Sequence, residues 1–420
     1  MESRDKKISK TIPFVMAVPS IILGIYIYMG STIIPLTVAK ITPSTEMLSY
    51  VIMTGTIAGL IGPYLAGRLS DKITLKIGKR KPWVLFGGII GSIALICMGA
   101  STFYILLWIS TFIFFLAINL YQGAYYAWMP EAVHKSQIGL VNGWGRVFAA
   151  IGGLIIFGVG IALFEMNQMY PYYMIVILTM VPVLIITFAI KEKTDDSIAE
   201  NPAVEQEKKE FKENFDFLKN GPVMKLFIGA AVSLVTLGII TPYMLKYFET
   251  MNGFSVSTIS FALMGMVIPG LFSVFYGVIF DKFNKRLLLI LSLVIEAIGC
   301  IIALYVGSVA MLWVFTFVYG LGMTVFYVAY YGLIPYVAPM EKLGEYMGVG
   351  NIFICIFQMI GQLLGGYIME GSNPQLIFII AAVSIVISII ILSVGKLQLH
   401  DPSKSMKVKE EVNEMISEKL

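Results

Sequence analysis

Residues 287–304 read LLLILSLVIEAIGCIIAL, eighteen positions with a single charge, Glu296. A helix of roughly 20 apolar residues crosses the hydrocarbon of a bilayer. Comparable runs recur near 12–38, 47–69, 83–101, 103–128, 139–163, 171–190, 223–247, 255–280, 287–306, 309–334, 346–369 and 375–395. Inside lipid every backbone N–H and C=O needs an internal partner, so such runs read as helices. Only 13% of the 420 residues are charged, against roughly 25% in a soluble domain. The composition excludes a soluble enzyme and predicts an all-α membrane protein with about twelve transmembrane helices.

The charges sort by topology. If both termini are cytoplasmic, every Lys and Arg falls in a cytoplasmic segment except Lys40 and Lys246 outside and Arg146 within a span. That asymmetry is the positive-inside pattern. The N-terminus MESRDKKISK leads into the first span without a small-residue cleavage site, so it is expected to be a cytoplasmic tail. Short loops suit a bacterial inner membrane. The net charge of +4 needs no nucleic-acid partner. Cys97, Cys300 and Cys355 sit inside apolar runs and read as small core residues. His134 and His400 lie in polar segments. No metal, cofactor or enzymatic motif is expected.

The chain divides into residues 1–190, a charged stretch 191–222, residues 223–395 and a tail 396–420. Within the stretch, Phe211, Phe215 and Leu218 fall on one helical face, which predicts a short surface helix. The flanking halves repeat. YYAWMPEAVHKSQIGLVNGWGR from Tyr125 aligns without a gap on YYGLIPYVAPMEKLGEYMGVGN from Tyr330. Tyr125/Tyr330, Tyr126/Tyr331, Pro130/Pro335, Gly139/Gly344, Gly143/Gly348 and Gly145/Gly350 match, every pair 205 positions apart. Gly67-x-x-x-Asp71-Lys72 likewise matches Gly277-x-x-x-Asp281-Lys282, 210 apart.

Two parallel six-helix halves joined by a linker resemble the major facilitator superfamily, and Gly67-x-x-x-Asp71-Lys72…Gly78-Lys79-Arg80 is similar to its signature loop between spans 2 and 3. The resemblance implies a major facilitator fold of two six-helix pseudo-symmetric halves and transport by alternating access. In that setting Gly67 lets span 2 approach a neighbour, Asp71 meets the N-terminal end of span 11, and Lys79 or Arg80 reaches Glu131. Asp281 and Arg286 are the second-half counterparts. The loop is thus expected to be both an orientation anchor and a gate. GKRKPWVLFGG and Asn119-x-x-Gln122-Gly123 resemble the glycoside–pentoside–hexuronide:cation symporters and the plant-type sucrose–proton symporters. Departures matter too. Phe115 stands where the sucrose branch has an acid, Tyr126 where it has an Arg, and spans 1 and 2 lack the carboxylates that bind the cation in melibiose-type relatives. The antiporter Gly-Pro signature is absent from span 5.

Polar residues form stripes on the helices that such a fold turns inward. Asn119, Gln122 and Tyr126 share a face of span 4, and Tyr327 and Tyr331 are their mates on span 10. Asn351, Gln358 and Gln362 share a face of span 11. Tyr26 on span 1 and Tyr243 on span 7 complete the candidate substrate-binding set. Amides, phenols and rings suit a neutral hydroxylated ligand; the same groups also serve helix–helix hydrogen bonding. Arg146 and Glu296 are the charges inside spans, which makes them coupling candidates. Arg146 either pairs with Glu131 or lines the cavity. Glu296 either binds a proton or faces away from the cavity.

The expected function is secondary transport of a small organic solute, a sugar or glycoside, with a proton or other cation. The small-molecule substrate, that ion and the lipid bilayer are the partners, and the chain is expected to act as a monomer. An exporter of amphipathic organic compounds and a non-transporting membrane sensor are the alternatives.

Overall fold

A computed structural model describes residues 11–72, 77–78, 80–134, 137–190, 221–273, 275–276, 279, 283–338 and 343–394. Of 63–72, 130–131, 138–139 and 343–345 it describes the backbone alone. Span 1 consists of Thr11–Ala17, Ser20–Met29 and Ile33–Ile41; spans 2 to 4 are Thr45–Lys72, Lys81–Gly99 and Tyr104–Ala132. Span 5 runs Ile138–Ile155 and Ile161–Met166 through a π-helical turn at Ile156–Gly160, and span 6 is Met169–Ala189. Span 7 breaks into Gly221–Ser233, Val235–Ile240, a 3₁₀ turn Thr241–Tyr243 and Met244–Asn252. Spans 9 to 12 are Lys285–Leu304, Val309–Val337, Leu343–Glu370 and Leu376–Ser393. Large apolar side chains such as Ile93, Phe188, Ile298 and Ile390 are exposed around the bundle, as lipid-facing surfaces require.

Eleven helices among the described residues are long and apolar enough to cross a membrane. The eighth span differs from the continuous 255–280 helix the sequence predicts. Its α-helix Val256–Leu263 gives way to 3₁₀ turns at Met264–Met266 and Ile268–Phe272, and the described residues 273, 275–276 and 279 are helical again. Pro269 supplies no N–H to the ladder there. Span 1 is also broken where one helix was expected. Pro19 separates its first two segments, and the hydroxyls of Ser31 and Thr32 donate to the Tyr28 carbonyl at 3.0 and 2.7 Å. The surface helix expected at Phe211, Phe215 and Leu218 lies outside the described residues.

The repeat is structural. Spans 4 and 10 each hold 29 residues and begin 205 positions apart. Tyr125 and Tyr330 are both fully buried. The Tyr125 hydroxyl donates to the Met16 carbonyl at 2.6 Å, tying span 4 to span 1. Tyr330 packs over Gly350, tying span 10 to span 11. Glycines bring paired helices to backbone contact in both halves. A Cβ at Gly24 or Gly152 would overlap the carbonyls of Ala149 or Ile21, which sets the approach of spans 1 and 5. Gly238 and Gly361 meet the carbonyls of Gln358 and Val235, which does the same for spans 7 and 11. Helices in lipid associate through such close van der Waals fits rather than through a hydrophobic drive.

The halves are sealed against each other at the end remote from residues 77–80. Thr45 Oγ1 on span 2 donates to the Gly366 carbonyl on span 11 at 2.9 Å, and Thr56 Oγ1 to Gln362 Oε1 at 3.1 Å. Glu370 accepts from the Ser44 hydroxyl and, at 3.1 Å, from the Glu46 N–H. Lys246 Nζ donates to the Pro43 carbonyl at 2.8 Å. Spans 5 and 8 close the other flank: Ser260 Oγ donates to the Phe157 carbonyl at 2.5 Å, in the π-helical turn. From Thr45 to Thr56 this seal extends roughly 16 Å along span 2.

Candidate substrate cavity

Below the seal, side chains from both halves converge. Tyr26 stands in the middle segment of span 1 and donates to Gln122 Oε1 on span 4 at 3.4 Å. Its ring meets Phe115 edge-on, centroids 6.1 Å apart. Tyr126 of span 4, Tyr331 of span 10 and Cys355 of span 11 are its electrostatic neighbours. Tyr126 in turn bonds Gln122 and lies within range of the Arg146 guanidinium on span 5. Tyr327 stacks on Tyr331 at 6.2 Å and also faces Tyr28 and Cys355. Asn351 Nδ2 points to Cys355 Sγ at 3.8 Å. Tyr126 is 49% exposed and Tyr331 36%, each nearly two turns inside the C-terminal end of its helix. Their exposure, on faces whose neighbours come from both halves, marks a cavity between the halves that opens toward the end opposite the seal. Repeat mates Gln122/Tyr327, Tyr126/Tyr331 and Arg146/Asn351 all border it or its rim, so the internal symmetry of the sequence becomes a symmetry of the site.

The chemistry is that of a neutral polar pocket. Phenol hydroxyls and an amide donate and accept, ring faces offer apolar contact, and Arg146 supplies a cation at one edge. No carboxylate borders it among the residues just named. A hydroxylated ring compound is the ligand type such groups match.

Several predicted site residues stand elsewhere. Asn119 is buried against Gly62 of span 2 and donates to the Phe115 carbonyl at 2.8 Å, so it serves the contact of spans 2 and 4. Tyr243 is fully buried and donates to the Gln362 carbonyl at 2.6 Å. Gln362 accepts from Thr56, which places both in the seal. Gln358 is half-buried, its carbonyl against Gly238. Cys355, read from sequence as packing, borders the cavity; no pattern in the sequence singles it out.

Of the predicted gate, Lys79 and Asp281 lie outside the described residues, and the side chains of Asp71 and Glu131 do too, while Gly67 is placed within the span 2 helix. Arg80 is buried at the start of span 3, and Lys81 Nζ sits 5.8 Å over the Trp128 ring of span 4. Arg286 Nε and an Nη donate at 2.8 and 2.6 Å to the Leu392 and Ser393 carbonyls. It therefore caps the C-terminal end of span 12, where a cation is favoured.

Glu296 is fully buried and faces protein. Thr236 of span 7 donates to its Oε1 at 2.5 Å. Of the two orientations the sequence left open, the structure has the carboxyl turned into the C-terminal half, close to Tyr319 and Tyr327 of span 10.

A membrane bundle of two like halves around one polar cavity, sealed at one end, is the form of a secondary transporter of small solutes. The sequence model of the family described as MFS/sugar transport protein matches residues 36–343, and the chain belongs to that family within the major facilitator superfamily. Among solved structures, a mutant of the nucleoside transporter NupG superimposes with a TM-score of 0.73 at 16% identity, covering 91% of this chain and 98% of that one. A D-xylose-proton symporter superimposes with a TM-score of 0.69 at 16% identity, covering 91% and 97%. These likenesses are of fold. No curated protein sequence matches the chain.

Proposed function

We propose that this protein is an alternating-access symporter that moves a small hydroxylated solute, a sugar or glycoside, together with a proton. The observation that carries this is the polar cavity of Tyr26, Gln122, Tyr126, Tyr327, Tyr331 and Asn351 between two pseudo-symmetric halves, with no carboxylate among these residues. The fold neighbours lend support, since one is a nucleoside transporter and the other a D-xylose-proton symporter, and both solutes present ring hydroxyls. Residues 1–190 and 223–395 rock as two bodies about the cavity, with 191–222 as the link. Both termini lie in the cytoplasm of a bacterial inner membrane, which puts the seal at the outer face. The gate formed by Gly67, Asp71, Lys79, Arg80, Glu131 and Asp281 then closes the inner face in the opposite state. A single chain carries the whole cavity and works as a monomer.

Uptake of a labelled sugar panel into proteoliposomes, with and without an inward proton gradient, tests the reading. Gradient-stimulated accumulation of one sugar is the expected result. No uptake of any sugar sinks the sugar assignment and directs attention to export of amphipathic compounds. For the transported solute, Tyr26→Phe and Gln122→Ala each remove one hydrogen bond worth about 0.5–1.5 kcal/mol, so KM is expected to rise roughly 2- to 12-fold. Asn119→Ala is expected to lower the melting temperature and leave KM at the wild-type value. An Asn119→Ala variant with raised KM and unchanged stability would return that residue to the cavity.

A further inference from the structure

No acid stands among the cavity residues named above, yet a carboxyl group lies buried a short distance away. Glu296 sits midway along span 9, where Gly322 of span 10 packs so closely that a Cβ there would come within 2.7–2.9 Å of the Glu296 backbone and Cβ. Its Oε1 accepts from Thr236. Its Oε2 has no hydrogen-bond partner, and the buried hydroxyls of Tyr319 on span 10 and Thr241 at the break in span 7 face one another without a hydrogen bond of good geometry. Tyr319 lies within range of Glu296, Cys300 and both threonine hydroxyls. The titratable groups facing Glu296 are Cys300 on its own span and Tyr319 and Tyr327 on span 10. Span 12 brings no titratable residue, and span 7 brings hydroxyls. No cation stands among them. An ionised carboxylate in that setting, with one hydrogen bond and no counter-charge, would cost several kcal/mol. The neutral acid keeps the Thr236 bond and has an O–H to give to Thr241 or Tyr319.

The same short helix that holds Glu296 also holds the seal. Thr236 and Gly238 belong to the segment Val235–Ile240. Gly238 packs on the Gln358 carbonyl of span 11. In the 3₁₀ turn that also carries Thr241, Tyr243 donates to the Gln362 carbonyl, and Gln362 Oε1 accepts from Thr56 of the other half. Tyr327 faces Glu296 on one side and Tyr28 and Tyr331 at the cavity on the other.

We propose that Glu296, with Thr236, Thr241 and Tyr319, forms a proton-binding site separate from the substrate cavity, and that its neutral state holds the Val235–Ile240 segment where the seal is closed. The proposal rests on the proton-symport reading above and names where the proton is carried. Loss of the proton to water leaves a carboxylate that needs further donors. The hydroxyls of Thr241 and Tyr319 turn to supply them, which displaces the 3₁₀ turn, Tyr243 and with it Gln362. A local change of charge thereby biases a two-state contact between the halves.

Infrared difference spectroscopy on the purified protein, from mildly acid to alkaline pH, reads this proton without any solute. A protonated-carboxyl C=O band lost on alkalinisation in the wild type and absent in Glu296→Gln is expected. The same band in Glu296→Gln overturns the assignment. Thr236→Val, nearly isosteric, is expected to fold and to move the midpoint of that band by about one pH unit; an unmoved midpoint overturns the role of Thr236. In proteoliposomes Glu296→Gln is expected to lose gradient-driven accumulation and to exchange solute without the pH response of the wild type. Wild-type accumulation in Glu296→Gln overturns the coupling role. Sodium-driven accumulation abolished by the same substitution overturns the proton in favour of a metal cation. A wild type that shows the band and transports nothing contradicts the symport reading while sustaining the proton site.

Discussion

Gly24→Val is expected to prevent the N-terminal half from assembling. A Cβ at that position falls on the Ala149 carbonyl oxygen of span 5, and the Ala149 Cα lies 2.9 Å away. Both are backbone, so nothing can rotate aside. Spans 1 and 5 would have to separate along a contact that Gly152 makes from the other side, against the Ile21 carbonyl. Overpacking of this kind costs roughly 3 kcal/mol or more, a large share of the 5–15 kcal/mol that typically separates folded from unfolded protein. Span 1 also carries Tyr26, so the same displacement spoils the cavity. The contrast is Gly143→Ala in the same span 5, where nothing lies within 4 Å of the new Cβ. That change is expected to be neutral or to stabilise by up to about 1 kcal/mol. Yield of monodisperse protein and its melting temperature check both. Wild-type behaviour of Gly24→Val would mean that the two helices are not in backbone contact.

Much of this architecture was legible in the sequence for a simple physical reason. Lipid forces long uncharged runs, so the spans declare themselves, and a duplicated half repeats its Tyr and Gly positions at a fixed offset. Gly145 meets Ser20 of span 1 and its mate Gly350 meets Phe227 of span 7, corresponding helix contacts in the two halves. The stripe on span 4 was only partly readable. Helical spacing places Asn119, Gln122 and Tyr126 on one face, but a polar face in a membrane serves either a cavity or a neighbouring helix. Asn119 went to span 2 and Tyr126 to the cavity. Gln362 and Tyr243 were drawn into the seal for the same reason. The breaks in spans 1, 7 and 8 escaped because Pro and Gly are tolerated in membrane helices and do not by themselves announce a break. The surroundings of Glu296 escaped entirely, since Thr236, Thr241 and Tyr319 meet it only through the packing of three separate spans.

Locking the seal is the second change of large expected effect, and it bears on alternating access itself. Ser44 and Glu370 touch across the two halves at the end sealed in this structure; Glu370 is exposed there and Ser44 half-buried. If the halves must part at this end for solute to reach Tyr26 and Tyr126, a covalent bridge here stops the cycle. If the seal is a static contact, the bridge changes nothing. The pair Ser44→Cys with Glu370→Cys, in a Cys97→Ser background, can be joined by a short, membrane-impermeant bifunctional thiol reagent that contains a cleavable disulfide. Cys300 is buried and escapes the reagent, and Cys355, which borders the cavity, is replaced by Ala in the same background. Each single-cysteine variant serves as a control for modification without bridging. Flux of the transported solute through the bridged protein in proteoliposomes is the measurement that tests the account most directly. The account predicts that flux stops on bridging and returns when the disulfide is cleaved; flux at the unbridged rate through fully bridged protein would contradict it.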